Sequence, residues 1–301
     1  MRYPFSLIPS FALCCAVLAG CNSPSATAPG TVASTQAPIG TPAAATPAPK
    51  SSAPANLNGP VASAAPVAST PTASPARASL SPNPAALPPL TIHLAGDSTV
   101  SNYASTTVQE GWGMELAQFF NDKVSVNNQA QGGANVQSFK ASANWTRILA
   151  ALKPGDYVLI QFGANDSGTA HGPVRPPDFI ATLGLMADEI RAKGATPIFV
   201  TPSAFFDWTA DGQENNARLA PYAAACYTAG TAQDAMVVDL NARGVEWLNS
   251  LGKTAAAPYY LPNSQGVPDK AHFVKAGATQ MAQMVAQEIR RIHSPLAAYL
   301  K

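Results

Sequence analysis

The chain has 301 residues, 47% of them hydrophobic and 12% charged, with a formal net charge of +1. That balance excludes the basic footprint of a nucleic-acid binder and the charge excess that recruits strongly acidic partners. The average conceals three unlike stretches.

Residues 1–20 begin with Arg2, continue through an apolar run from Phe5 to Leu18, and lead to Leu18-Ala19-Gly20-Cys21. The run is short for a transmembrane span and suits the core of a signal peptide. Residues 21–89 differ sharply. From Asn22 to Pro89 the only charged residues are Lys50 and Arg77, no aromatic residue occurs, and 15 of the 28 prolines are concentrated there. Such a composition cannot bury enough apolar surface to offset its ordering entropy, so it reads as a disordered linker of Pro, Ala, Ser and Thr. Its relaxed span is about 45 Å. Of the four cysteines, only Cys226 lies beyond Cys21, so neither a disulfide nor a zinc-type cluster is expected; Cys226 reads as a small buried apolar side chain.

Residues 90–301 carry a globular pattern. Strands are expected at Thr91–Ala95, Val124–Asn128, Asp156–Phe162, Thr196–Thr201 and Ala235–Leu240. Helices are expected at Trp112–Asn121, Trp145–Leu152, Pro177–Lys193, Glu214–Gly230 and Ala242–Leu251. The last helix spans Val274–His293, where Val274, Ala278, Met281, Val285, Ile289 and Ile292 recur at spacings of three and four. Alternating strands and helices imply an α/β fold with a five-stranded parallel sheet covered on both faces. In such sheets ligands bind beyond the carboxyl ends of the strands.

Four segments at or near those ends hold chemistry: Gly96-Asp97-Ser98, Gly132-Gly133, Gly163-Ala164-Asn165-Asp166 and Asp269-Lys270-Ala271-His272. Each alone has a plain structural explanation: a turn, a helix cap or a solvated loop. Together they offer more. A serine hydroxyl becomes a useful nucleophile only with a base in reach. Four histidines exist. His93 lies inside a strand, His293 ends the last helix, and His171 follows Asn165 as a substrate contact or an alternative base. His272 has Asp269 three residues before it, close enough to orient its ring. The Ser98 and Gly133 backbone N–H groups and the Asn165 amide are candidate oxyanion donors. Asp97, Trp112, His171 and Trp208 are candidate substrate contacts. Trp112, Phe205, Phe206, Trp208, Tyr222 and Tyr227 could also form a sugar platform, or simply pack.

Ser98, Gly133, Asn165 and His272, in their order and contexts, resemble the SGNH hydrolases, also called the GDSL family. AGDST (95–99), GWG (111–113), NQAQGG (128–133), QFGANDS (161–167), KGATPIFVTP (193–202) and DKAHF (269–273) resemble rhamnogalacturonan acetylesterases more closely. The resemblance implies a flavodoxin-like three-layer sandwich, with Ser98 as nucleophile, His272 as base, Asp269 as its partner and Ser98, Gly133 and Asn165 as oxyanion hole. It implies an esterase that removes acetyl groups from a plant cell-wall polysaccharide, with no cofactor and no metal. An acetylxylan esterase, another carbohydrate esterase, a lipase- or thioesterase-like enzyme and a glycan-binding surface lipoprotein are the rival readings. Three positions depart from the relatives' pattern. Ala134-Asn135 stands where they commonly carry Arg-Ser, Ala164 where they carry histidine, and Ser203-Ala204-Phe205-Phe206 where they often carry arginines. These departures weaken the case for an acidic pectin substrate more than the case for ester hydrolysis. Leu18-Ala19-Gly20-Cys21 resembles the bacterial lipobox. That implies a lipidated Cys21 and a domain tethered by lipid to the membrane of the cell envelope; the domain is expected to be a monomer.

Overall fold

Five short apolar runs pair side by side in the computed structural model, which describes residues 87–168 and 172–301. The strands in chain order are β1 (Leu90–Gly96), β2 (Gln109–Glu110), β3 (Val124–Asn128), β4 (Tyr157–Gln161), β5 (Thr196–Val200), β6 (Met236–Val238), β7 (Tyr260–Pro262) and β8 (Pro268–Val274). The main sheet runs β3-β1-β4-β5-β6, all parallel. Numbered among themselves these five strands stand in the order 2-1-3-4-5, the flavodoxin-like arrangement, and the order reverses between β1 and β4.

Both faces are covered. The helices are α1 (Trp112–Glu115), α2 (Val136–Lys140), α3 (Ala143–Ala151), α4 (Pro176–Arg191), α5 (Ala220–Ala232), α6 (Leu240–Ala256) and α7 (Lys275–Arg291). Ile92, Leu94, Leu159, Ile198 and Val200 pack against α1, α6 and α7. Ala95, Val158, Ile160 and Phe199 face the other way, onto α2 to α5. All five residues of β4 are buried, as a central parallel strand requires. On α7 the buried Ala278, Met281, Val285 and Ile289 follow the expected stripe. Cys226 is buried and unpaired, and burial pushes its thiol pKa up. Among the described residues no helix is long and apolar enough to cross a membrane. The expected signal, Cys21 and the linker lie outside the described residues, apart from the linker's last residues from Leu87.

Three expectations need correction. The helix expected at Trp112–Asn121 is α1 followed by a 3-10 turn, Leu116–Phe119, because the chain becomes extended at Phe120 to bury that ring and bridge Leu300. The helix expected from Glu214 starts only at Ala220, with proline at its first turn; Glu214 instead bridges Trp208 across a tight loop. Asp269 and His272, expected in a loop, lie in β8, the central strand of a small antiparallel sheet β2-β8-β7. At the opposite end of the domain, Tyr299 donates from its hydroxyl to the Pro88 carbonyl at 3.0 Å, where the chain enters β1.

Candidate active site

Asp97, buried at the turn after β1, accepts from the Thr99 N–H at 2.9 Å and from the Thr99 hydroxyl at 2.8 Å. Thr99 Oγ1 in turn accepts from Gln161 Nε2 at 2.7 Å, and Gln161 Oε1 accepts from the Trp112 indole N–H at 2.7 Å. This buried chain fastens the turn carrying Ser98 to the end of β4. From the other side the Tyr103 hydroxyl donates to the Ser98 carbonyl at 2.8 Å. The Ser98 side chain is thereby held out at the carboxyl edge of the sheet, at the switch between β1 and β4.

Strand β8 brings the base. His272 Nε2 stands 3.0 Å from Ser98 Oγ, and His272 Nδ1 stands 2.6 Å from Asp269 Oδ2. Asp269 Oδ1 accepts from the Ala271 and His272 backbone N–H groups at 2.8 and 2.7 Å, so the carboxylate is fixed by its own turn. The bond to Asp269 holds the His272 pKa above its ordinary value, against the opposing effect of burial. Burial pushes Asp269 up, but the bonds from His272 and the backbone outweigh it and leave Asp269 below the usual carboxylate range. Such a line of serine, imidazole and carboxylate can move a proton from the hydroxyl to the ring while the carboxylate stabilises the resulting cation.

The candidate donors lie on loops that are tied to the Ser98 turn and to one another. Gly133 has φ +77°, which only glycine adopts without strain, and the turn there brings the β3 loop against the Ser98 turn through the Gln131 N–H to Gly96 carbonyl bond of 2.9 Å. Asn165 Nδ2 donates to the Ala134 carbonyl at 3.0 Å. The amide keeps a second N–H, and among the described residues the Ser98 and Gly133 N–H groups have no protein acceptor.

The neighbour of Asn165 does more than cap its own turn. Asp166 is wholly buried and accepts from the Val136 N–H and the Gly163 N–H, both at 2.9 Å. It thus caps α2 from another loop and ties the β3 and β4 loops together. Burial pushes its pKa to about 6, opposed by those two N–H groups; burial also pushes Asp97 to about 6, opposed by Thr99. Asn135 accepts from the Ser138 N–H at 2.8 Å, and Ser138 Oγ accepts from the Asn135 N–H at 3.0 Å. Asn135 and Ser138 thus form a capping box at the start of α2.

Two proposed substrate contacts are corrected. Trp112 is fully buried and spends its indole N–H inside the protein, and Asp97 is fully buried beneath the turn it caps. Phe205, Phe206 and Tyr222 are also packed, with the single Tyr222 O–H shared between the Asp166 and Val174 carbonyls at 2.9 and 2.8 Å. Tyr227 is exposed but bonds Asp239 on a different surface. Trp208 is half-buried, edge-on to Phe206 with centroids 5.8 Å apart. Its bridge partner Glu214 is buried with neither carboxyl oxygen bonded to protein; burial, reinforced by Asp207, pushes its pKa to about 7. His171 lies outside the described residues. His93 bonds Asn127 and Asp156 within the sheet and takes no part in the site. Among the described residues no group of three His, Cys, Asp or Glu side chains is placed to hold a metal ion.

This fold and this hydrogen-bonded line fit a hydrolase. The chain belongs to the GDSL-like lipase/acylhydrolase family, which matches residues 94–280. It is similar to the rhamnogalacturonan acetylesterase RhgT of Bacillus subtilis, with 33% identity over 70% of this chain and 94% of that protein. It is similar also to the probable rhamnogalacturonan acetylesterase YesY of the same organism, with 31% identity over 68% of this chain and 94% of the relative. A crystal structure of the Bacillus subtilis protein YxiM matches with a TM-score of 0.62 and 30% identity; the match covers 69% of this chain and 58% of that one. The protein is an enzyme that hydrolyses ester bonds.

Proposed function

We propose that the protein removes acetyl groups from acetylated rhamnogalacturonan, with Ser98 as nucleophile, His272 as general base and Asp269 as the residue that orients the base. The observation that carries the proposal is the continuous line Ser98 Oγ, His272 Nε2, His272 Nδ1, Asp269 Oδ2 at 3.0 and 2.6 Å. The names of the two similar Bacillus esterases support the substrate class. In this reading Ser98 attacks the acetyl carbonyl while His272 takes its proton. The Ser98 and Gly133 N–H groups and the Asn165 amide receive the tetrahedral oxyanion. The sugar hydroxyl departs with the proton from His272. Water, activated by the same ring, then attacks the acetyl-enzyme and releases acetate.

The test is acetate release from acetylated rhamnogalacturonan, acetylated xylan and 4-nitrophenyl acetate, with Ser98→Ala as control. Rhamnogalacturonan is expected to be the best of the polysaccharides, and the control inert on all three. Preference for acetylated xylan would overturn the substrate, and activity surviving in the control would overturn the mechanism.

The same proposal extends to the amino-terminal region. Residues 1–20 are a signal, Cys21 carries lipid, and residues 22–89 tether a monomeric 90–301 domain at the bacterial cell envelope. The lipobox-like Leu18-Ala19-Gly20-Cys21 and the change of composition directly after it support this. Wild type should partition into detergent on phase separation and Cys21→Ala should not; equal partitioning would refute the anchor.

A further inference from the structure

The segment after β5, Ser203-Ala204-Phe205-Phe206, is apolar and buried, yet a cation reaches it from elsewhere in the chain. Arg218 ends the 3-10 turn Asn216–Arg218, and its guanidinium carbon lies 5.2 Å from the centre of the Phe205 ring. Its Nε donates to Ser167 Oγ at 2.9 Å and its Nη2 to the Ala164 carbonyl at 3.2 Å. The seat depends on Gly168: a Cβ there would lie 2.8 Å from Arg218 Nη2. Beneath it Phe205 clusters with Ala164 and Leu219, and Ala271 packs against the cluster. Ala164 precedes Asn165, and Ala271 precedes His272. The guanidinium is therefore fixed on the seam between the loop holding an oxyanion donor and the strand holding the base.

Everything that holds Arg218 is neutral. Two of its five N–H groups are engaged. Among the described residues no carboxylate lies within salt-bridge distance of it. A positioned, exposed arginine with an uncompensated charge and spare N–H groups is a receptor for a carboxylate, which it can bind with two parallel hydrogen bonds. We propose that Arg218 forms a subsite for the carboxylate of a uronate in the sugar chain whose acetyl ester is cleaved. This rests on the carbohydrate-esterase reading above. It supplies the cationic recognition that Ser203-Ala204-Phe205-Phe206 lacks.

The test compares full-length wild type, Arg218→Gln and Arg218→Lys on an acetylated rhamnogalacturonan oligosaccharide and on an acetylated, uronate-free xylo-oligosaccharide. The readout is the ratio of the two kcat/KM values. Arg218→Gln should lower that ratio on the order of fivefold, chiefly through KM on the uronate ester, and Arg218→Lys should restore part of it. In wild type the ratio should fall as salt rises, because the group is exposed. An unchanged ratio, or an equal loss on both esters, overturns the subsite; the second result would make Arg218 a brace for the Asn165 loop. A separate arm measures inhibition of 4-nitrophenyl acetate hydrolysis by deacetylated rhamnogalacturonan oligosaccharides. If wild type releases no acetate from rhamnogalacturonan but is inhibited in an Arg218-dependent way, the substrate reading fails and the subsite stands. If acetate is released but neither arm depends on Arg218, the subsite fails alone.

Discussion

His272 Nε2 lies 3.0 Å from Ser98 Oγ although 174 positions separate them in the chain. Ser98 sits on the turn that follows a strand of the main sheet and His272 on a strand of the small sheet, so the contact depends on tertiary folding. Removal of the hydroxyl in Ser98→Ala is expected to reduce kcat by roughly 10⁴- to 10⁶-fold while thermal stability stays near that of wild type. Labelling by a fluorophosphonate probe should be lost in the same variant. Retained labelling would place the nucleophile elsewhere.

The pairing of His272 with Asp269 sets the acid limb of the pH profile. His272 accepts a proton only when neutral, and the Asp269 bond raises its pKa. For wild type, kcat/KM should therefore fall as pH drops through that raised value. In Asp269→Asn the raising influence is gone, so the acid limb should move to lower pH. The plateau should also fall, by about 10²- to 10⁴-fold, since the ring loses its orienting carboxylate. A limb that stays in place would mean that Asp269 does not govern the titration of His272.

Asn165 offers a side-chain test of oxyanion stabilisation. Its amide is anchored on the Ala134 carbonyl at 3.0 Å and directs its other N–H from a fixed position. Asn165→Ala should lower kcat by about 10²- to 10³-fold with little change in KM. A loss confined to KM would make Asn165 a ground-state binding residue.

Glu214 makes a prediction about stability. Its carboxyl is buried without a protein partner, and its pKa in the folded protein is about 7 against an unfolded value of about 4.3. Well below pH 4 the group is protonated in both states. As pH rises from about 4 to 7 the unfolded chain releases its proton first, so stability is lost over that window, by about 4 kcal/mol at most. Glu214→Gln keeps the shape and removes the charge. Its Tm should exceed that of wild type by several degrees at pH 8 and match it at pH 4. Equal Tm values at pH 8 would show that the carboxylate is solvated there.

Much of this arrangement was legible in the sequence. The five strands of the main sheet announced themselves as short apolar runs, and their alternation with helices fixed the layer structure. Ser98, Asn165, Asp269 and His272 stood in recognisable contexts. The small sheet was not legible, because Gln109-Glu110 is two residues long and Asp269–His272 is too polar for a strand pattern; its pairing is imposed by tertiary contact. Asp166 was missed as a tie between loops because its partners, Val136 and Gly163, lie on two different elements. The burial of Trp112 and Asp97 was not legible, because it depends on distant partners: the Trp112 indole bonds Gln161, and Gln161 bonds the Thr99 hydroxyl that Asp97 holds. Arg218 was invisible for the opposite reason: its seat is made by Gly168, Ser167 and Phe205, none of which signals a cation.

The bond between Tyr299 and Pro88 marks where the chain enters β1, at the amino end of that strand. Ser98 follows the carboxyl end of the same strand. Seven residues of extended chain, about 23 Å, therefore separate the entry point from the reaction mouth. If residues 22–89 tether the domain as proposed above, they join it at the pole opposite Ser98. Polymer could then approach from the free side, and a shorter or longer leash would change the domain's reach without touching its chemistry.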